Sequence, residues 1–279
     1  MLPSFSDMLA QLVAEPSVSS TSPDIDRSNL RVIEHLANWL NDLGFRTELI
    51  PLPNRPDKAN LIATLGGDIN DGMGGLVLAG HTDTVPFDEA LWSSDRFTVK
   101  GHQDRFSGLG SCDMKGIFPV ALEAAATFAK QQPRAPLTIV ATSDQEPSMV
   151  GSRYLLECGK PKTDYVIIGE PTAMQPIFVH KGISMVKIQL PKAYPPIPPF
   201  QSGPTGELLD ALSGLSGNQP VTVAFCTEAH FMQALGMETV VRWPGSVDQA
   251  HQPKEYLDKA QLAPAKDTLH RVIQKFCLV

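Results

Sequence analysis

The sequence predicts an α/β fold with a mostly parallel central sheet and helices on both faces. Three observations point there. The runs "GGLVLAG", "PLTIVATS" and "DYVIIGEP" are continuously apolar rather than alternating, as in strands covered on both sides. Longer segments between them carry apolar residues at helical spacing. The two kinds alternate along the chain, which is the order of a parallel sheet wrapped by helices.

Each element has its own reason. "MLPSFSDMLAQLVAEPSV" reads as a first helix and not as a signal peptide, because no Lys or Arg precedes Arg27 and Asp7 breaks the apolar run. In "DRSNLRVIEHLANWLNDLGF" the residues Leu30, Ile33, Leu36, Leu40 and Leu43 form one stripe, and Gly44 supplies a stop. "FRTELIPL" and "NLIATLG" follow as strands, then "GGLVLAG", then a hairpin around "FTVKGHQDRFSGLG". "MKGIFPVALEAAATFAK" is a helix that tolerates Pro119 near its start. Strand "PLTIVATS", a helix from Ser148, strand "DYVIIGEP" and the extended "PIFVHKGISMVKIQL" come next. Residues 191–204 hold six prolines in fourteen and predict an extended connector. The rhythm then resumes with "ELLDALSGL", "PVTVAFC", "EAHFMQAL", "METVVRW" and a last helix, "PAKDTLHRVIQKFC".

Bulk properties narrow the function. A chain of 279 residues, 42% hydrophobic and 19% charged, can bury a full α/β core as a single domain over 1–279. A net charge of −7 argues against nucleic acid or an anionic membrane as partner. No apolar run approaches the roughly 20 residues that cross a bilayer. Cys112, Cys158, Cys226 and Cys277 are far apart, which suits a reducing cytoplasm and excludes a thiolate zinc motif.

Ligands bind at the carboxyl ends of such sheets, so the strand ends carry the functional signal. "LVLAGHTDT" puts His81 and Asp83 after a buried strand, and "GLGSCDMKG" puts Asp113 at a helix entry. "TIVATSDQE" gives Asp144 and Glu146, "VIIGEP" gives Glu170, and "PGSVDQAHQP" gives His251. Singly, each has an ordinary explanation: a cap, a turn, a solvated loop residue. Together they place two imidazoles and several carboxylates at one sheet edge. Carboxylates so crowded raise one another's pKa unless a cation compensates, and His with carboxylate oxygen suits Zn²⁺, Co²⁺ or Mn²⁺. On an extended H-x-D segment Asp83 can accept a hydrogen bond from the far nitrogen of His81. Five ligands suffice for two ions if one carboxylate bridges them, and such a pair can activate water and polarise a carbonyl.

The segments "AGHTDTVPFD", "GLGSCDMKG", "IIGEPT", "HKG", "CTEAHFMQ" and "PGSVDQAHQPKEYL" resemble, in order, the dinuclear zinc amidohydrolases and peptidases of the M20 family. Within it they are most similar to the branch that removes the acetyl group of N2-acetyl-L-ornithine in arginine biosynthesis. The resemblance implies a zinc-peptidase-like catalytic domain with two divalent ions, zinc foremost, and an acetylated amino acid as substrate. It implies Asp113 as bridging ligand, His81 and Glu170 on one ion, Glu146 and His251 on the other, and Asp83 behind His81. Thr227, Glu228 and Lys181 become candidate substrate contacts, although Thr227 and Glu228 also suit a helix cap, and His180 and Lys181 a hydrogen-bonded strand end.

Two departures from the family pattern stand out. Where the family has a general-base Glu, this chain has Gln145, whose amide accepts no proton at neutral pH. Asp144 is no substitute, since on a strand end it points away from Gln145. The family's lid and dimerisation domain is also missing, with the junction near 187–199, so a monomer is expected. Weak or absent activity follows. A non-catalytic metal-binding domain and an aminopeptidase or dipeptidase of the same family are the alternatives. Cys112 reads as a bystander or a competing ligand; Arg242 and Trp243 lie just before the His251 loop, where an exposed aromatic would serve substrate or cover the surface left by the missing lid.

Overall fold

The sheet's centre is built from strands with nothing polar to expose, and the helices cover them. The computed structural model of the protein describes residues 2–67, 74–131, 133–181, 197–202, 206–217 and 219–278. Helix α1 (Phe5–Ala14) starts where the Ser4 hydroxyl accepts a hydrogen bond from the Asp7 amide. Helix α2 (Leu30–Asp42) buries Ile33, Leu36 and Leu40 of the predicted stripe, leaves Leu30 half-buried, and ends before Gly44, whose φ of 86° turns the chain. Strands β1 (Arg46–Leu52) and β2 (Arg55–Leu65) form an antiparallel hairpin. Strand β3 (Leu76–His81) is buried at every residue.

Strands β4 (Lys100–Gly101) and β5 (Arg105–Ser107) form the predicted hairpin, and helix α3 (Ile117–Phe128) follows with Pro119 in its first turn. Strand β6 (Leu137–Thr142) leads into helices α4 (Gln145–Ser148) and α5 (Val150–Glu157). Strands β7 (Tyr165–Ile168), β8 (Ile177–His180) and β9 (Phe200–Gln201) precede helix α6 (Glu207–Ser216). Then come β10 (Val221–Val223), α7 (Ala229–Ala234), β11 (Glu238–Val241), β12 (Tyr256–Asp258) and α8 (Leu262–Ile273).

The large sheet runs β1-β2-β6-β3-β7-β11-β8-β10, with β9 beside β8. Its centre, β6-β3-β7-β11, is parallel, and its flanks are mixed. One face packs on α1, α2, α3, α6 and α8, and the other on α5 and α7. A small sheet, β12-β5-β4, joins the hairpin to the segment after His251, a pairing the hairpin pattern alone does not predict. The proline-rich connector, the continuation of β8 through 182–190 and the junction near 187–199 lie mostly outside the described residues; within them Phe200–Gln201 form β9.

Because the central strands are parallel, their carboxyl ends meet one edge. Gly80 and Gly169, at the ends of β3 and β7, let the α3 entry settle there. A Cβ on Gly169 would lie 1.9 Å from Ile117 Cδ1, and one on Gly80 would lie 2.8 Å from Met114 Cε. This close approach brings the residue before Met114, Asp113, level with His81 and Glu170.

Candidate metal centre

The five residues picked out in the sequence meet at this edge. His81 is the last residue of β3, and Glu170 lies two residues beyond β7. Asp113 precedes α3 by four residues; Gly116 is that helix's N-cap, so the Asp113 carboxylate is left for other partners. His81, Asp113 and Glu146 each offer a donor atom within 4.8 Å of the others. Asp113 stands between the imidazoles: its Oδ1 lies 3.2 Å from His81 Nε2 and its Oδ2 3.3 Å from His251 Nε2. Glu146 Oε2 is 3.1 Å from the same His251 nitrogen. One carboxylate facing two imidazoles with separate oxygens is the disposition of a bridging ligand. His251 sits at φ 61°, a left-handed conformation that His enters more readily than most residues.

Behind these side chains, the Nδ1 of His81 is 3.1 Å from the carbonyl of Asp83 and 3.4 Å from its Oδ1. The carbonyl is thus the nearer partner, where the H-x-D spacing predicts the carboxylate; either acceptor directs Nε2 toward Asp113. The Asp83 carboxylate has further tasks. It accepts hydrogen bonds from the amides of Gln145 and Glu146, each at 3.1 Å, and from the Ser19 hydroxyl. It therefore caps the amino end of α4.

That helical turn corrects the strand-end picture of 144–146. Asp144 adopts φ 51°, ψ 44°, and α4 begins immediately after it. Asp144 turns away from the centre, as expected, but because its carboxylate pairs with Lys58 at 2.6 Å and not because of strand alternation. Gln145 and Glu146 both reach the centre, where extended neighbours would diverge. The Gln145 Nε2 donates to Glu170 Oε1 at 3.2 Å.

The electrostatics describe a site short of positive charge. Burial, then the Asp113 charge, pushes Glu146 and Glu170 above the usual carboxylate range, Glu170 strongly. Burial also acts on Asp113, yet the hydrogen bonds from His251 and His81 outweigh it and hold it well below that range. Hydrogen bonds to Asp113 and Glu146 raise His251 to about 10. Burial opposes the charge on His81, but Asp113 and Asp83 overcome it and lift it well above the ordinary imidazole value. Without another cation, protons on the imidazoles must balance the carboxylates. The oxygen-and-imidazole donor set, largely buried and mutually repelling, fits divalent ions.

The cleft beside these residues has a volume of about 180 Å³, and Pro171, Phe225, Cys226, Val247 and Ala250 form its apolar wall. Three candidate substrate contacts do not line it among the described residues. Thr227 is fully buried and its hydroxyl accepts from the Ala229 amide, the capping alternative. Glu228 is fully buried, accepting from Thr142 Oγ1 at 2.5 Å and from Ser152 Oγ. Lys181 is exposed past the end of β8, and the neighbouring His180 is buried, its Nδ1 against the Lys181 carbonyl at 3.0 Å. Trp243, expected to be exposed, is buried in the core, because the chain after β11 turns inward. The adjacent Arg242 is buried too, donating to the carbonyls of Met174 and Leu212. Cys112 faces the Ser246 carbonyl at 3.7 Å and is a bystander; burial, then the Glu255 charge, raises its thiol further from thiolate.

Glu255 is the residue that the strand-end search misses. It is buried and accepts hydrogen bonds from the amides of Gly110, Cys112 and Asp113 at 2.9, 2.7 and 2.9 Å. Lying four residues after His251, it ties the two loops that carry His251 and Asp113. The signal was present in "AHQPKEYL", an acid inside an otherwise ligand-bearing loop, but its partners are backbone amides, which no side-chain pattern records.

Comparison with known proteins agrees with this architecture. The profile of Peptidase family M20/M25/M40 matches residues 77–275. The acetylornithine deacetylases of Salmonella arizonae and Pasteurella multocida are each 32% identical, over 383 and 382 aligned positions, covering 99% of this chain and 99% of either relative. Among solved structures, human carnosine dipeptidase 1 aligns with a TM-score of 0.77 at 12% identity, covering 95% of both chains. An M20 family metallo-carboxypeptidase from Sulfolobus solfataricus aligns with a TM-score of 0.70 at 12% identity, over 98% of this chain and 99% of that one. At such identities the likeness is one of fold.

Proposed function

Since the chain belongs to peptidase family M20/M25/M40, we propose that it is a metal-dependent amide hydrolase of the acetylornithine deacetylase type, converting N2-acetyl-L-ornithine and water to L-ornithine and acetate, with turnover weak or absent. The observation that carries this is the convergence of His81, Asp113, His251 and Glu146, each within hydrogen-bond reach of the next, with Gln145 beside Glu170. His81, Asp113 and Glu170 would hold one ion, and Asp113, Glu146 and His251 the other. Bound divalent ions, zinc by donor type, supply Lewis acidity toward an amide carbonyl and lower the pKa of water.

The chain's own residues orient and balance. Asp83 fixes the His81 ring and caps the turn that presents Glu146. Glu255 holds the backbone of Asp113. Proton transfer is the weak step. Gln145 can donate to Glu170, yet its amide cannot take a proton from water and deliver it to a leaving amine. Asp144 is committed to Lys58. Loss of a general base typically costs about 10²–10⁴ in rate.

The lid and dimerisation domain is absent in this reading, with the junction near 187–199. In support, the alignments with the deacetylases run over 383 positions where this chain has 279 residues, so a long stretch of the relatives has no counterpart. A monomeric, cytoplasmic enzyme acting on a small acetylated amino acid follows, and sedimentation revealing a tight dimer would contradict it. Among the described residues no helix is long and apolar enough to cross a membrane.

Gln145 also favours a second reading, a metal-binding domain without catalysis. Hydrolysis of N2-acetyl-L-ornithine with added Zn²⁺ or Co²⁺ separates the two. The deacetylase reading expects Gln145→Glu to raise turnover by about 10²–10⁴. If Gln145→Glu loads with metal yet stays inactive, the non-catalytic reading holds.

A further inference from the structure

Lys58 is among the largest side chains in the protein to be fully buried, and no part of the mechanism above uses it. Its ammonium lies 2.6 Å from Asp144 Oδ1 and 3.0 Å from Asp26 Oδ1. Asp26 is gripped in turn by Arg55 at 2.5 Å and by the Ser20 amide at 3.0 Å. Two residues along β2, on the same side of the strand, Asn60 Oδ1 accepts from the Ser143 amide at 3.0 Å, and its Nδ2 donates to the Gly151 carbonyl at 3.0 Å. Strand β2 therefore holds both residues between the end of β6 and the start of α4.

The conformation of those residues decides where Glu146 points. Strand β6 ends extended at Thr142, and Asp144 then takes a left-handed step. Asp tolerates this region better than most residues but is not confined to it, so its neighbours select the conformation. Here the Lys58 ammonium restrains Asp144 from one side, and the Asp83 carboxylate restrains the next two amides from the other. Without the step the chain would leave β6 extended, and Glu146 would not face Asp113 and His251.

We infer that Lys58 is a positioning residue of the metal centre, its clamp on Asp144 setting the turn that presents Glu146 to the ion shared with His251. The inference rests on the metal reading of that centre. A purely structural Lys58 would affect folding alone. A positioning Lys58 affects the ion, even where the fold is intact.

The test is calorimetric titration of the metal-free full chain with Zn²⁺, together with the visible absorption of its Co²⁺ form. The variants are Lys58→Met and the double variant Lys58→Met, Asp144→Asn. The double variant removes both charges and keeps a residue that tolerates the left-handed region, so it regains thermal stability lost in the single variant. Expected in both is one metal equivalent weakened by about 10–100-fold, the range for residues that orient ligands, with an altered Co²⁺ spectrum. Wild-type affinity and spectrum in the stable double variant would overturn the inference alone. No uptake by the unaltered chain would overturn the metal reading and this inference with it.

Discussion

Two clusters of buried charge adjoin at the end of β6, and they are balanced differently. Around Lys58, three carboxylates, Asp26, Asp57 and Asp144, face two fixed cations, the buried Lys58 and the half-exposed Arg55. Around Asp113, three carboxylates face two imidazoles, which are charged only when protonated. The first cluster carries its own fixed cations and serves the fold. The second is satisfied only by protons or by a cation from outside. A network with fixed cations thus supports one whose only cations are imidazoles, and the residue between them, Asp144, belongs to the first while orienting the second.

Breaking the first cluster and supplying a cation to the second should move stability in opposite directions. Removing one partner of a buried pair leaves an uncompensated charge, at a cost of about 3–5 kcal/mol. Lys58→Met should therefore lower the unfolding free energy by that order in urea titrations. A loss near zero would mean that the Lys58 network is not what the geometry says. The acidic centre should respond instead to what is added. Zn²⁺ at a hundred times its dissociation constant should stabilise the folded chain by about 2.7 kcal/mol, a rise in melting temperature that a chelator reverses. No such rise would place the two clusters on the same footing and remove the contrast.

A smaller effect sharpens it. Burial and the Asp113 charge already oppose ionisation of Glu170, so Glu170→Gln should stabilise the metal-free chain by about 0.5–2 kcal/mol, the usual gain at a functional site freed of its task. The same substitution should weaken metal binding, and a variant that loses stability would contradict the account of crowded acids.

The pH dependence is the most gradual. Asp113 and Glu146 raise His251 from its ordinary 6.5 to about 10. Its contribution to the stability of the metal-free chain is fully present below about 6.5 and is lost as pH rises through about 10. Metal must displace that proton, so apparent Zn²⁺ affinity should climb with pH across the neutral range and level off near 10. Calorimetry in buffers of differing ionisation enthalpy counts the protons released; none released at pH 7 would show that the imidazoles are not ligands.

Much of the site was legible in the sequence because parallel strands report it directly. A continuous apolar run marks a strand buried on both faces, and the residues just beyond it must face the ligand edge. His81, Glu146 and Glu170 follow such runs, whereas Asp113 was read from a helix entry and His251 from a loop. What hid the rest is that the partners are remote or are backbone. Lys58 and Glu255 sit at positions without local periodicity, and they act on Asp144 and on three amides far along the chain. Trp243 was misjudged because strand ends predict which edge a residue approaches, not whether the following loop folds inward.

The sequence by itself determined the layered α/β architecture, the chemistry of the donor set and the amide at position 145, since periodicity and residue type are local properties. Tertiary structure alone decided how those donors face one another. The left-handed step at Asp144, the Lys58 clamp, the Glu255 tie and the small sheet closed by β12 depend on segments far apart in the chain meeting in space. Burial and charge balance exist only once they have met.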